Sequence, residues 1–135
     1  MPIVLDTGIL YAWYDRSDDW HPRSRELIRA ERAALIVPSP VIPEVDFLLG
    51  KRLGPEARRM FLRGFTEGHF RAVDLTSDLF ARAIEIDLRF AELDLGFVDA
   101  AVLAAAEQTG IRRIATTDRR DFDPVARALA IEILP

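Results

Sequence analysis

The chain has 135 residues and a formal net charge of −4; half of its residues are hydrophobic and 30% are charged. These values are typical of one globular domain spanning residues 1–135. The chain contains no cysteine, which excludes disulfides, thiolate metal sites and thiol nucleophiles. It shows neither a signal-peptide pattern nor the roughly 18 apolar residues of a membrane span, so we expect a cytoplasmic protein with no membrane partner.

Strand-like and helical hydrophobic patterns alternate along the first part of the chain. The apolar run I-V-L at residues 3–5 is typical of a fully buried parallel strand. Pro22 suits the first turn of a helix, and residues 50–55 form a break before the next helix. The predicted elements are a strand at 3–5, helices at 9–14 and 21–34, a strand at 35–37, and helices at 41–49 and 55–65.

The second part of the chain continues this alternation. Thr76 or Ser77 caps a predicted helix, and Gly110 ends an alanine-rich one. The predicted elements are a strand at 70–75, helices at 77–92 and 97–109, a strand at 113–116, a weak helix at 124–130 and a strand at 131–134. Such alternation predicts an α/β fold with a parallel sheet that helices cover on both faces.

Four carboxylates lie where strands end or helices begin. Asp6 directly follows the first strand, and Glu44 lies early in the helix after the second. Asp99 lies in the first turn of the alanine-rich helix, and Asp118 follows the strand at 113–116. Because ligands bind outside the carboxyl ends of parallel strands, we expect these four side chains to meet at one edge of the sheet.

Crowded carboxylates repel one another, and a hard divalent cation relieves that repulsion. Mg²⁺ and Mn²⁺ prefer carboxylate and water ligands, and a metal-bound water can become a nucleophile. A remaining carboxylate can orient that water or take its proton. Each acid alone also has a structural explanation, as a cap or a solvated charge. Their joint placement favours metal-dependent hydrolysis of a phosphodiester.

Four sequence blocks carry a resemblance to a known family. They are V-L-D-T-G-I-L at residues 4–10, S-P-V-I-P-E at 39–44, D-L-G-F-V-D-A at 94–100 and A-T-T-D-R-R-D-F at 115–122. With this spacing, the chain resembles PIN-domain ribonucleases over nearly its whole length. Within that family it is most similar to the VapC-type toxins of bacterial and archaeal toxin–antitoxin pairs.

The resemblance implies a three-layer α/β/α sandwich around a PIN-like, Rossmannoid parallel sheet of four to five strands. It also implies endonucleolytic cleavage of RNA that depends on Mg²⁺ or Mn²⁺. A cognate antitoxin protein bound in a groove and a homodimer are the partners that it implies. Carried over residue by residue, the catalytic acids are Asp6, Glu44, Asp99 and Asp118, the metal ligands are Asp6, Asp99 and Asp118, and the supporting polar neighbours are Thr7 and Thr117.

Several positions near these blocks have a less defined role. Asp121 fits a trailing acid of the last block, and Asp94 is interpreted as a loop aspartate that makes a local turn bond. Gly8 replaces the serine or alanine common after the Asp-Thr pair, which is expected to loosen the first turn. Pro43 is compatible with the helix that carries Glu44 only if it lies in the first turn.

Nearly every cation is arginine, since Lys51 is the only lysine. Arg119 and Arg120 flank Asp118 and are candidates for phosphate contacts. A further group with few nearby acids is the predicted RNA-backbone patch. Its members are Arg52, Arg58, Arg59 and Arg63.

Other classes of protein remain to be weighed. A haloacid-dehalogenase-type phosphatase needs a second acid where Gly8 stands and a late lysine that is absent, and no P-loop motif is present. The remaining alternative is a PIN-like module that has lost catalysis and binds RNA or protein. The presence of all four acids argues against it.

Overall fold

The computed structural model describes residues 1–32 and 34–135. Its strands are β1 (Ile3–Leu5), β2 (Leu35–Pro38), β3 (Arg71–Val73), β4 (Arg113–Ala115) and β5 (Glu132–Leu134). They form one five-stranded sheet in the order β3-β2-β1-β4-β5, and every pair is parallel. Val4 of β1 pairs with Ile36 on one side and Ile114 on the other. The predicted parallel sheet is therefore confirmed.

Helices connect the strands. In the described residues they are α1 (Thr7–Tyr14), α2 (His21–Glu31), α3 (Val41–Arg52), α4 (Pro55–Thr66), α5 (Ser77–Arg89), α6 (Phe97–Thr109) and α7 (Arg119–Leu129), with a 3₁₀ turn at Ala91–Leu93. α1 packs on α2 and α3, and α3 packs on α4. α6 packs on β1, β2 and β4 and also contacts α5. This is the expected α/β/α arrangement. No helix in the described part of the chain is long and apolar enough to cross a membrane.

The centre of the core is formed by β1 and by the middle of α6, whose residues are apolar on every face. All three residues of β1 are buried, as are the seven consecutive α6 residues from Ala100 to Ala106. Alanine lets this helix lie close to the sheet. Gly110 ends α6 with a φ of 72°, which glycine adopts without strain. The predicted helix at 97–109 is therefore confirmed at both ends.

The predicted weak helix at 124–130 is wrong at its start. α7 begins five residues earlier because the Asp118 side chain accepts a hydrogen bond from the backbone N–H of Asp121 at 3.3 Å. Pro124 therefore lies inside the helix. Burial of one helix face compensates for the backbone hydrogen bond that proline cannot donate. The buried residues are Phe122, Val125, Ala126 and Leu129.

Other boundaries differ by a few residues. α1 starts at Thr7 instead of residue 9 because Asp6 is its N-cap residue, and α3 continues past residue 49 to Arg52. α2 ends at Glu31, and Ala33 of the predicted helix at 21–34 lies outside the described residues. The strand at 70–75 shortens to Arg71–Val73, and the helix at 77–92 ends at Arg89.

Candidate active site

The four predicted acids lie at the edge of the sheet where the parallel strands end. Asp6 follows β1 and Asp118 follows β4, and each is the N-cap residue of the next helix. Glu44 and Asp99 lie in the first turns of α3 and α6. Helix N-termini favour negative charge, so this edge suits anionic side chains.

Asp6 is the most buried acid, with 6% of its surface exposed. Its Oδ2 accepts a hydrogen bond from Thr116 Oγ1 at 2.8 Å, whereas its Oδ1 is buried without a hydrogen-bond partner. Burial raises the pKa of Asp6 to about 6, and the negative charges of Glu44 and Asp118 contribute to the increase. A buried carboxylate oxygen without a donor is unusual, and this donor set fits compensation by a cation or a proton.

The pKa of Asp99 is raised by burial and by four acidic neighbours. Burial raises the pKa of Asp99 to about 7, and the charges of Asp6, Asp118, Glu44 and Asp121 raise it further in that order. The pKa of Asp118 is also raised, first by burial and then through Asp121. The structure thus brings together the four acids expected from the sequence and adds Asp121 as a fifth. Within residues 1–32 and 34–135, however, no three acidic or histidine side chains are already arranged to hold a metal ion.

Glu44 is connected to the cluster through Thr7. The Thr7 hydroxyl donates a hydrogen bond to Glu44 Oε1 at 2.6 Å and so links α1 to α3. Because α3 begins at Val41, Pro43 lies in its first turn, where proline needs no hydrogen bond from its nitrogen. Pro43 is therefore compatible with the helix that carries Glu44, as the sequence analysis required. Its side chain is exposed and accessible to a substrate.

Thr116 is the site residue that sequence reasoning missed. It is fully buried, donates to Asp6, and accepts the backbone N–H of Asp118 at 3.0 Å. One hydroxyl therefore fixes the carboxylate of Asp6 and the start of the loop that carries Asp118. The available signal was its position directly after an apolar strand, where a hydroxyl is buried and must find partners.

Gly8 lies against the loop after β4, a contact that the sequence did not predict; the expected loosening of the first turn stays a prediction. A Cβ at this position would lie 2.2 Å from Thr117 Oγ1. Glycine thus allows the loop after β4 to approach the first turn of α1 closely. Thr117 therefore lies close to the turn that follows Asp6, and its supporting role stays a prediction.

Asp94 lies outside the cluster. It is exposed, has a left-handed backbone with a φ of 49°, and its N–H bonds to Ala91 O at 3.1 Å. It closes the 3₁₀ turn, in agreement with its interpretation as a local turn residue.

The arginines of the predicted RNA-backbone patch have different neighbours, and the patch stays a prediction. Arg58 pairs with Asp46 at 3.0 Å, and the Arg52 guanidinium lies 5.1 Å from the centre of the Tyr11 ring. Arg63 lines an apolar groove. Near the acids, Arg119 bonds to Pro135 O at 2.6 Å, and Arg120 is exposed. Arg120 is therefore the more available cation at the site.

The groove that contains Arg63 has a volume of about 630 Å³. It lies between α1, α2 and α4. Its apolar walls include Trp13, Tyr14, Ile28, Met60 and Phe70, and its charged residues are Arg29, Arg32, Arg63 and Glu67. Cations therefore outnumber acids around an apolar floor.

The raised pKa values predict how stability changes with pH when no metal is bound. The folded protein retains protons on Asp6 and Asp99 up to about pH 6 and 7, whereas an unfolded aspartate loses its proton near pH 4. This contribution to the free energy of unfolding is complete below about pH 4 and is lost as the pH rises through about 7. Urea unfolding in chelator should show decreasing stability from about pH 5 to pH 8, and constant or increasing stability would contradict it.

Three comparisons relate this geometry to known proteins. The family model of the PIN domain matches residues 3–128. Ribonuclease VapC26 of Mycobacterium tuberculosis is 29% identical over 120 residues, which cover 89% of each protein.

Solved structures share the fold. VapC20 of Mycobacterium tuberculosis, described as a toxin that cleaves the sarcin-ricin loop, has a TM-score of 0.83 and 24% identity, over 90% of this chain and 94% of that one. DNA-bound VapBC of Salmonella typhimurium has a TM-score of 0.74 and 19% identity, over 98% and 96% of the two chains. At these identities the likeness concerns the fold alone.

Proposed function

Because this chain belongs to the PIN-domain family, we propose that it is a metal-dependent endoribonuclease that hydrolyses RNA phosphodiesters at its acid cluster. The observation that supports this most directly is the buried Asp6 Oδ1, which has no hydrogen-bond partner and lies among other acids. A proton or a cation must compensate this group, and a cation also relieves the repulsion on Asp99. The similar VapC26 is named a ribonuclease.

Asp6, Asp99 and Asp118 are the residues that would hold Mg²⁺ or Mn²⁺. Their donor set fits such an ion, because hard divalent cations prefer carboxylate oxygens. When bound, the metal supplies an activated water and stabilises charge on the phosphoryl group. Thr116 fixes the orientation of Asp6 through its 2.8 Å hydrogen bond.

We propose that Glu44 accepts a proton in this reaction. It is exposed, and its Oε1 is oriented by Thr7. A carboxylate held in this way can orient the attacking water or take its proton. Arg120 is exposed in the first turn of α7 and is the proposed contact for an RNA phosphate.

We propose that the partner is an antitoxin whose binding segment occupies the groove between α1, α2 and α4. VapBC complexes are among the structures that share this fold. An apolar floor flanked by Arg29, Arg32 and Arg63 fits a segment with large apolar side chains next to acids. We propose that the protein acts in the cytoplasm, where it would meet both RNA and an antitoxin.

The proposed homodimer has a separate candidate surface on α5. Phe80, Ile84 and Leu88 recur every four residues and are 47%, 42% and 68% exposed. The Phe80 ring packs at 5.3 Å from the ring of Phe97, two residues before Asp99. An apolar stripe with this spacing suits pairing with the same helix of a second copy.

Removal of divalent metal tests the nuclease proposal. We expect purified protein to cleave single-stranded RNA with Mg²⁺ or Mn²⁺, to lose all measurable cleavage in excess chelator, and to recover it when metal is restored. Gel analysis of labelled RNA measures this, and circular dichroism checks that chelator leaves the fold intact. Equal cleavage in chelator would contradict the metal mechanism. Binding without cleavage across a broad RNA panel would favour a non-catalytic module.

A further inference from the structure

Phe47 is an exposed aromatic residue close to the acid cluster. It lies on α3, three residues after Glu44, and 61% of its surface is exposed. One exposed apolar residue is normal on a protein surface. Phe47 differs from other exposed apolar residues because it lies near Glu44 and beside the charged Lys51.

Glu44, Phe47 and Lys51 form one stripe along α3. At about 100° per residue, the three side chains fall within an arc of about 60°. The buried face of the same helix is formed by Val41, Val45 and Leu49. The stripe therefore starts at the acid cluster, where Thr7 anchors Glu44 at 2.6 Å, and leads outward across the surface.

Lys51 is in contact with the ring. Its Nζ lies 5.7 Å from the centre of the Phe47 ring, at the four-residue spacing that makes helix neighbours. An aromatic ring and a cation are thus presented together, the ring about one helical turn and the cation about two turns from Glu44. Proteins that hold unpaired nucleic acid combine these two groups, since bases stack on aromatic rings and cations contact phosphates.

We propose that Phe47 is a stacking platform for an unpaired RNA base beside the scissile phosphate and that Lys51 contacts the adjoining phosphate. This proposal rests on the proposed ribonuclease function and adds a subsite specific for single-stranded RNA. A base occupies the ring face away from Lys51. Stacking positions the RNA chain over Glu44 and does not itself take part in bond cleavage.

RNA fits this surface better than a protein partner does. The helix neighbours of Phe47 are Pro43, Glu44, Gly50 and Lys51, so the ring stands between two charged residues. The groove between α1, α2 and α4 and the α5 stripe each offer several apolar side chains in contact. The single ring of Phe47 offers an area that suits one stacked base.

A comparison of Phe47→Leu with Phe47→Tyr tests the stacking role. Leucine retains apolar bulk and removes the ring, whereas tyrosine retains the ring. Binding and cleavage are measured with short single-stranded RNA that contains 2-aminopurine, whose fluorescence is quenched when the base stacks. Trp20→Leu is the control for loss of a ring that lies beside a cation, since half-buried Trp20 forms this kind of pair with Arg23, 5.0 Å from its ring centre, outside the acid cluster.

We expect Phe47→Leu to weaken binding and raise KM by about tenfold, to lose most of the quenching, and to change kcat by less than about twofold. Phe47→Tyr and Trp20→Leu should behave like the wild type. Lys51→Gln should reduce the slope of log Kd against log salt by about 0.7.

Two results would overturn the proposal. One is a Phe47→Leu protein that binds and quenches like the wild type, which would leave Phe47 as a protein contact or an inert surface residue. The other is equal weakening on fully paired RNA, whose bases cannot stack on a side chain. If the wild type cleaves no RNA, the nuclease proposal fails, whereas the quenching measurement still decides the role of Phe47.

Discussion

Asp99→Asn is expected to lower RNA cleavage by at least about 100-fold while the metal-free protein becomes more stable at neutral pH. Asp99 is proposed as a metal ligand, and asparagine keeps its shape but removes its charge. The same charge is unfavourable in the fold, since burial and four acidic neighbours raise the pKa of Asp99 to about 7. Removal of the charge therefore relieves repulsion, so activity and stability change in opposite directions.

The measurements are initial cleavage rates in Mn²⁺ and thermal unfolding in chelator near pH 8. Asp94→Asn is the matched control, because Asp94 is exposed, lies outside the cluster and has a left-handed backbone that asparagine also adopts. We expect it to cleave at a rate within about twofold of the wild type. An Asp99→Asn protein that cleaves within tenfold of the wild type would remove Asp99 from the proposed machinery.

Phe61→Ala is expected to reduce the free energy of unfolding by about 3–5 kcal/mol. Phe61 is fully buried, and its ring packs edge-on at 5.3 Å against Phe65 and at 6.0 Å against Tyr14. A third ring, Phe70, lies 5.9 Å away. Truncation leaves a cavity among these rings, and the loss is a large share of the stability of a small domain.

Urea unfolding at constant temperature measures this loss. Met60→Ala on the same helix is the control, because Met60 is 54% exposed and its truncation should cost less than about 0.5 kcal/mol. If Phe61→Ala does not fold, Phe61→Leu should fold with a loss of about 1–2 kcal/mol. Equal losses for Phe61→Ala and Met60→Ala would show that the aromatic cluster is not part of the core.

The fold was predictable where one local signal dominates. The helix at 97–109 has a buried alanine run and a glycine stop, and both signals agree with its packing on the sheet. The start of α7 was not predictable in the same way, because two signals compete. Pro124 favours a start there, but the cap from Asp118 and the burial of Phe122 outweigh it. Which of these signals prevails depends on how α7 packs against the rest of the domain, and this packing cannot be deduced from a single sequence.

The candidate site was predictable as a set of acids and not as a set of contacts. Asp6, Glu44, Asp99 and Asp118 follow from strand ends and helix starts, because a parallel sheet gathers those positions at one edge. Thr116 and the close approach of Thr117 to Gly8 depend on the pairing of β1 with β4, whose register the sequence does not specify. The pairing of Arg58 with Asp46 depends likewise on how α3 meets α4.

The central position of β1 has a consequence for how the chain is made. β1 leaves the ribosome well before its neighbour β4, because Thr116, which directly follows β4, comes 110 residues after Asp6. A nascent chain therefore exposes one open edge of β1 until β4 has also emerged. It carries Asp6 and Glu44 long before Asp118 emerges, so any activity that needs the assembled cluster arises only after Asp118 has been made.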